Sequence, residues 1–176
     1  MTTMATDLKT VAPERWNVDM DASSVEFAVK TFWGLGTVRG RFDRFAGTYD
    51  VGPDGAEIAL TIDVGSLDTG NRTRDKHLRS ADFFHLAEHP QVRFTSTRVH
   101  SSLNGEIDIE GELEAAGKTV PLAFYATSRR VDDDTLELET TIELNHRRLG
   151  MSGGLLGMIR PPATLHVKAH LSGTGR

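Results

Sequence analysis

The chain contains no cysteine. Disulfides, thiolate metal centres and a cysteine nucleophile are therefore excluded, while the compartment is left open. Long apolar runs are also missing, and no stretch approaches the roughly 20 residues that a membrane helix requires. Charge of one sign is scarce as well: 20 Lys and Arg stand against 25 Asp and Glu, for a formal net charge of -5. The densest basic cluster, Arg72, Arg74, Lys76 and Arg79, encloses Asp75. Without a basic stripe, nucleic acid is not an expected partner. Met1 to Arg15 lacks the apolar h-region of a secretory signal, so a cytoplasmic location is expected, with these 15 residues as a loose arm.

What is present is alternation. Of 176 residues, 38% are hydrophobic, enough for the core of one domain spanning 16–176. Val25, Phe27 and Val29 alternate with polar neighbours, as do Ile58, Leu60, Ile62 and Val64. The pattern returns at Ile107–Ile109–Leu113, Val120–Leu122–Phe124, Leu136–Leu138–Ile142–Leu144 and Leu165–Val167–Leu171. Period two means strands with one apolar and one wet face. Turn-forming residues separate them at 52–55, 102–105, 116–118 and 132–134. About eight strands result, near 23–33, 37–51, 56–66, 91–100, 105–114, 119–130, 135–145 and 163–172, with a bulge where Phe42 and Phe45 stand three apart. Between Ser66 and Pro90 the pattern breaks. Residues 71–80 read as a short helix with Asn71 as N-cap and an Asp75–Arg79 pair at i,i+4. Eight such strands bury their apolar faces most simply by closing into a barrel, although a two-sheet sandwich satisfies the same periodicity.

Strings that suggest chemistry lack their context. Gly150-Met151-Ser152-Gly153-Gly154 matches the nucleophile elbow, yet no acid follows Ser152 and Pro161-Pro162 forbids the helix that should come next. His85-Leu86-Ala87-Glu88-His89 matches a zinc-binding H-x-x-E-H, but Pro90 ends any helix there. The carboxylates Glu106, Asp108, Glu110, Glu112 and Glu114 recur at a strand spacing near 6.6 Å. They read as a wet face opposed by cations such as Lys168, and no metal site is assigned. Leu155, Leu156, Met158 and Ile159 have no strand period and read as a loop over the core or a lid at a cavity mouth.

Several segments together resemble the YceI-like family of polyisoprenoid-binding proteins. They are Trp16-Asn17-Val18-Asp19 with Ser24-Val25-Glu26-Phe27, then Val38-Arg39-Gly40-Arg41-Phe42 with Phe45-Ala46-Gly47. The most specific is Ile62-Asp63-Val64-Gly65-Ser66-Leu67-Asp68-Thr69-Gly70-Asn71, continuing through Arg74-Asp75-Lys76-His77-Leu78-Arg79-Ser80 to Phe83-Phe84. Gly117-Lys118-Thr119-Val120-Pro121-Leu122 and Arg148-Leu149-Gly150-Met151 follow in order, so the likeness runs from about Trp16 to Leu171.

The resemblance implies an all-β fold: an eight-stranded antiparallel lipocalin-like barrel with the short helix inserted near 71–80 and a long interior tunnel. It implies binding of an isoprenoid quinone, polyprenyl chain or fatty-acid derivative for carriage or storage, with transient membrane contact and no other cofactor. On that reading Phe27, Val29, Phe42, Phe45, Ile58, Leu60, Ile62, Phe94, Ile109, Leu122, Phe124, Leu138, Ile142 and Val167 either line the tunnel or form plain core, which parity does not separate. Phe83, Phe84, Leu155 and Met158 are placed near its mouth, and Arg74, Asp75, His77 and Arg79 orient a head group or cap the barrel. Two other classes stay open. One is an enzyme acting on a sequestered lipid through His77 and Asp75; the other is a stress-related scaffold or homodimer.

Overall fold

Alternating strands close on themselves here, because each has an apolar face to bury and a hydrogen-bonding edge to satisfy. The computed structural model describes residues 14–31, 36–151 and 159–174. Its strands are β1 (Glu14–Val18), β2 (Ser24–Thr31), β3 (Gly36–Phe42), β4 (Phe45–Gly52), β5 (Gly55–Asp63), β6 (Leu67–Asp68), β7 (Gln91–Ser101), β8 (Glu106–Ala115), β9 (Lys118–Arg130), β10 (Thr135–Leu144) and β11 (Ile159–Gly173). All pairings are antiparallel, in the order β1-β4-β5-β7-β8-β9-β10-β11, and β11 pairs back to β1. β2, β3 and β6 continue the same wall, since β2 pairs with β11, β3 with β2 and β6 with β3.

The eleven segments are therefore eight strands, three of them interrupted. β1 and β2 lie along β11 as one broken strand, with a 3-10 turn at Met20–Ala22 between them. β3 and β4 are divided at Asp43 and Arg44, which is the irregularity expected between Phe42 and Phe45. β5 and β6 are divided by a 3-10 turn at Val64–Ser66. The last two breaks lie side by side and share one set of hydrogen bonds. Asp43 N donates to Ser66 O (3.3 Å), Arg44 N to Ser66 Oγ (3.0 Å) and Ser66 Oγ to Asp63 O (2.7 Å). Asp63 caps its turn through Gly65 N (2.8 Å) and pairs with Arg44 Nε (2.8 Å). That bond to Arg44 holds the Asp63 carboxyl below its ordinary pKa, with the Gly65 N–H adding to it.

Three sequence expectations need correction. The chain enters the wall at Glu14, two residues inside the expected arm, and Trp16 is buried beside Tyr49, Leu136 and Leu171. A five-residue strand interrupted by a turn carries too little alternation to be read. The final strand starts at Ile159 and takes Pro161-Pro162 into a register irregularity. The acidic ladder of β8 faces Arg98 and Arg93 of β7, whereas Lys168 pairs with Glu139 across β10 and β11.

The connections leaving β6, β8 and β10 lie at one end of the barrel, and the β4–β5, β7–β8 and β9–β10 hairpins at the other. The first end carries α1 (Arg72–Leu78), capped by Asn71 Oδ1 accepting from Arg74 N (3.0 Å). Leu78, Phe83 and Phe84 turn from this connection into the main core with Val25, Phe42, Ile62 and Phe94.

Candidate functional site: an apolar cavity inside the barrel

The inward faces of these strands do not meet. An interior cavity of about 200 Å³ remains between them. By the same measure one water needs about 10–15 Å³, so the space is on the order of a dozen water-sized units, far beyond a packing defect. Its wall reaches from Tyr49, Leu138 and Leu171 near the hairpin end to Leu78, Phe83, Leu149 and Met151 near α1. Among the described wall residues only Thr48, Tyr49, Thr140 and His146 carry side-chain nitrogen or oxygen.

Phe27 and Val29 of β2, Phe42 of β3, and Ile58, Leu60 and Ile62 of β5 all reach the cavity. So do Phe94 of β7, Ile109 of β8, Leu122 and Phe124 of β9, Leu138 and Ile142 of β10, and Val167 of β11. Phe83 and Phe84 line the α1 end. Two glycines make room for these rings. A Cβ on Gly40 would lie 2.4 Å from the Phe27 ring opposite, and one on Gly111 would lie 2.4 Å from Thr95 O and 2.6 Å from Phe94. Phe45 is plain core: it opens β4 just past the strand break and packs against the core cluster without reaching the cavity. Leu155, Met158 and Ser152 lie outside the described residues.

The four residues expected to orient a head group or cap the barrel are held by bonds around α1. Arg74 donates from Nε to Thr69 Oγ1 (2.8 Å) and from Nη2 to Thr69 O (2.7 Å). The buried Asp75 carboxylate accepts from Thr69 N (3.0 Å) and Thr69 Oγ1, and Arg79 Nη2 donates to Leu67 O. The expected Asp75–Arg79 pair is thus replaced by bonds that tie α1 to β6 and the turn after it. His77 is half exposed, edge-on to Phe83 (5.1 Å) and 3.6 Å from Asp82. None of the four lies on the cavity wall. Unpaired charge in so apolar a chamber would cost several kcal/mol, whereas Leu67 O and Thr69 bond Arg74, Asp75 and Arg79 Nη2 outside it, with Arg79 Nε left buried and unpartnered. The same placement keeps His77 and Asp75 off the cavity wall.

His85, Glu88 and His89 offer ligand atoms within 4.8 Å of one another. They sit on a single turn, closed by His89 N donating to His85 O (2.8 Å), with His85 at φ 53°. The absence of a helix agrees with the reading of Pro90, yet the donors still converge. This trio is the set in the described residues able to hold a cation.

Sequence reasoning passed over the segment after β10. Asn145 caps a 3-10 turn at His146–Leu149, which ends at Gly150 with φ 77°, and returns Leu149 and Met151 to the interior. An Asn cap five residues before a glycine was the available signal. His146, Leu149 and Met151 all join the cavity wall.

A family model described as YceI-like domain matches residues 16–171. A UPF0312 protein of Shewanella baltica strain OS185 is 40% identical over 107 residues, covering 59% of this chain and 56% of the relative. A UPF0312 protein of Pectobacterium atrosepticum is 37% identical over 113 residues, covering 62% and 58%. The chain thus spans little more than half the length of these curated relatives. Among solved structures, Burkholderia cenocepacia BcnA superposes with a TM-score of 0.76 at 20% identity, covering 89% of this chain and 99% of that one. A polyisoprenoid binding domain from Saccharophagus degradans gives 0.73 at 16% identity, covering 89% and 97%. Fold and match coincide over the whole barrel, and the chain belongs to the YceI-like domain family.

Proposed function

We propose that this barrel binds one long-chain apolar or amphiphilic lipid (an isoprenoid quinone, polyprenyl or fatty-acid derivative) in its interior, for carriage or storage. The carrying observation is the interior apolar cavity that persists from Leu78 and Met151 to Tyr49 and Leu171. Each buried methylene is worth about 0.8 kcal/mol, so a chain of about twelve carbons gains ~10 kcal/mol on entry. Association costs ~4–15 kcal/mol, so short chains fail and long ones bind. That arithmetic selects for length over chemistry and suits a cavity wall with so few polar atoms. The solved relative titled as a polyisoprenoid binding domain supports the same class of cargo. The enzymatic alternative rested on His77 and Asp75, and neither is among the described residues of the cavity wall.

Native mass spectrometry of the protein recovered from its own cells, followed by solvent extraction, tests the reading. A prenyl, quinone or acyl species near one per chain is expected. An apo mass that stays unshifted after incubation with such lipids would overturn it.

A further inference from the structure

We propose that His146 is the polar anchor of the cavity, and that its Nε2 accepts a hydrogen bond from the O–H or N–H of an amphiphile whose chain fills the barrel. The inference rests on the lipid-binding reading and adds the class of head group.

The imidazole is 5% exposed and forms part of the cavity wall. Its Nδ1 lies 2.8 Å from Met151 O. A carbonyl oxygen only accepts, so Nδ1 carries the proton. The neutral ring then has a single N–H, and Nε2 is left as a lone-pair acceptor. This Nε2 is buried with no partner in the protein. A buried acceptor without a donor is costly, and one on a residue of the cavity wall is the feature a bound donor would explain.

Two other polar groups of the wall are already engaged. Thr140 Oγ1 donates to Tyr125 O (2.7 Å), and Tyr49 Oη lies 3.4 Å from Ser101 Oγ. Among the described wall residues, His146 alone has a buried polar atom left over.

The ring is also held still. Asn145 caps the turn through Arg147 N (3.2 Å), and Met151 N donates back to His146 O (3.3 Å). An acceptor preset in this way loses little freedom when a ligand arrives. Since this segment follows β10, the head group belongs at the α1 end, beside Leu149 and Met151. The chain then runs toward Leu138 and Leu171. Alcohols, protonated acids and primary or secondary amides qualify as ligands, while ethers, esters and bare hydrocarbons gain nothing from this contact.

Displacement of Nile red by farnesol and by farnesyl methyl ether, on wild type and His146→Leu, separates the outcomes. The wild type should hold the alcohol roughly tenfold more tightly than the ether, as one added hydrogen bond allows. His146→Leu should lose that preference while binding the ether within about twofold of wild type. Equal affinity of wild type for both probes, or an unchanged preference in the variant, overturns the anchor and leaves lipid binding standing. Failure of both probes on wild type overturns lipid binding and the anchor together. Should the variant not fold, the imidazole nitrogen resonances of wild type decide. The Nε2 signal should move with farnesol and stay put with the ether, and movement with neither overturns the proposal.

Discussion

Asp63 shows how one carboxylate holds two broken strands in register. Its side chain caps the turn at Val64–Ser66 and pairs with Arg44 beside the neighbouring break, and the pair keeps its pKa depressed. A depressed folded pKa stabilises above the ordinary carboxylate value of about 4, and that contribution disappears as pH falls through the folded value. Asp63→Asn should therefore melt lower than wild type near pH 6, with the gap narrowing toward pH 3. A gap that stays constant over that range in thermal scans would contradict the role. Gly111 acts through space. Its missing side chain leaves room for the Phe94 ring and Thr95 O. Gly111→Val should destabilise by at least about 1–3 kcal/mol, because backbone has to shift to admit it. Urea midpoints are the measure, and an unchanged midpoint would refute the close approach.

At the scale of elements, α1 is a structural latch. Arg74 and Asp75 converge on Thr69, Arg79 reaches Leu67 O, and Leu78 closes the cavity below them. Arg74→Ala should cost about 1–3 kcal/mol through the lost charged hydrogen bonds, yet leave lipid occupancy within about twofold of wild type. Thermal unfolding paired with native mass spectrometry reads both quantities. A collapse of occupancy in a variant still folded would restore the head-group role expected from sequence. The helix itself was legible, because Asn71 is a standard cap and a basic–acidic run interrupts the alternation. The partners of its charges were not. An i,i+4 spacing permits the Asp75–Arg79 pair, but the neighbouring turn offers better-oriented hydrogen bonds at Thr69 and Leu67.

At the scale of the molecule, the interior is kept open by small residues spaced among large ones. Ala59, Ala126, Ala163 and Ala169 all stand on the cavity wall. Ala169→Phe fills space without touching the outer face, so the ligand-free variant should match or exceed wild-type melting temperature. Its affinity for a long-chain lipid should fall at least about tenfold as several methylenes lose their place. Full binding by a folded Ala169→Phe protein would mean that lipid sits elsewhere. Occupancy should stabilise wild type by about 2.7 kcal/mol at a free lipid concentration one hundred times Kd, and this gain should be absent from the variant.

Period-two alternation is a local property, and it determined from sequence alone which side of each strand is apolar. Phe27, Leu60, Phe124 and Val167 could be assigned to the apolar side for that reason, and all four lie on the cavity wall. Phe45, just past a strand break, packs in the core, one of the two places that parity left open for it. Parity is equally silent on whether inward faces touch or stand apart. That depends on how eight strands tilt and close, so only the assembled barrel decided that there is a cavity. His146 belongs to the same category. Asn145 and Gly150 mark the turn that holds it, but not where that turn packs, and it joins the wall because the turn at His146–Leu149 returns Leu149 and Met151 to the interior. A buried nitrogen on a residue of an apolar wall results from the turn at His146–Leu149 docking on the barrel, and no local pattern encodes such docking.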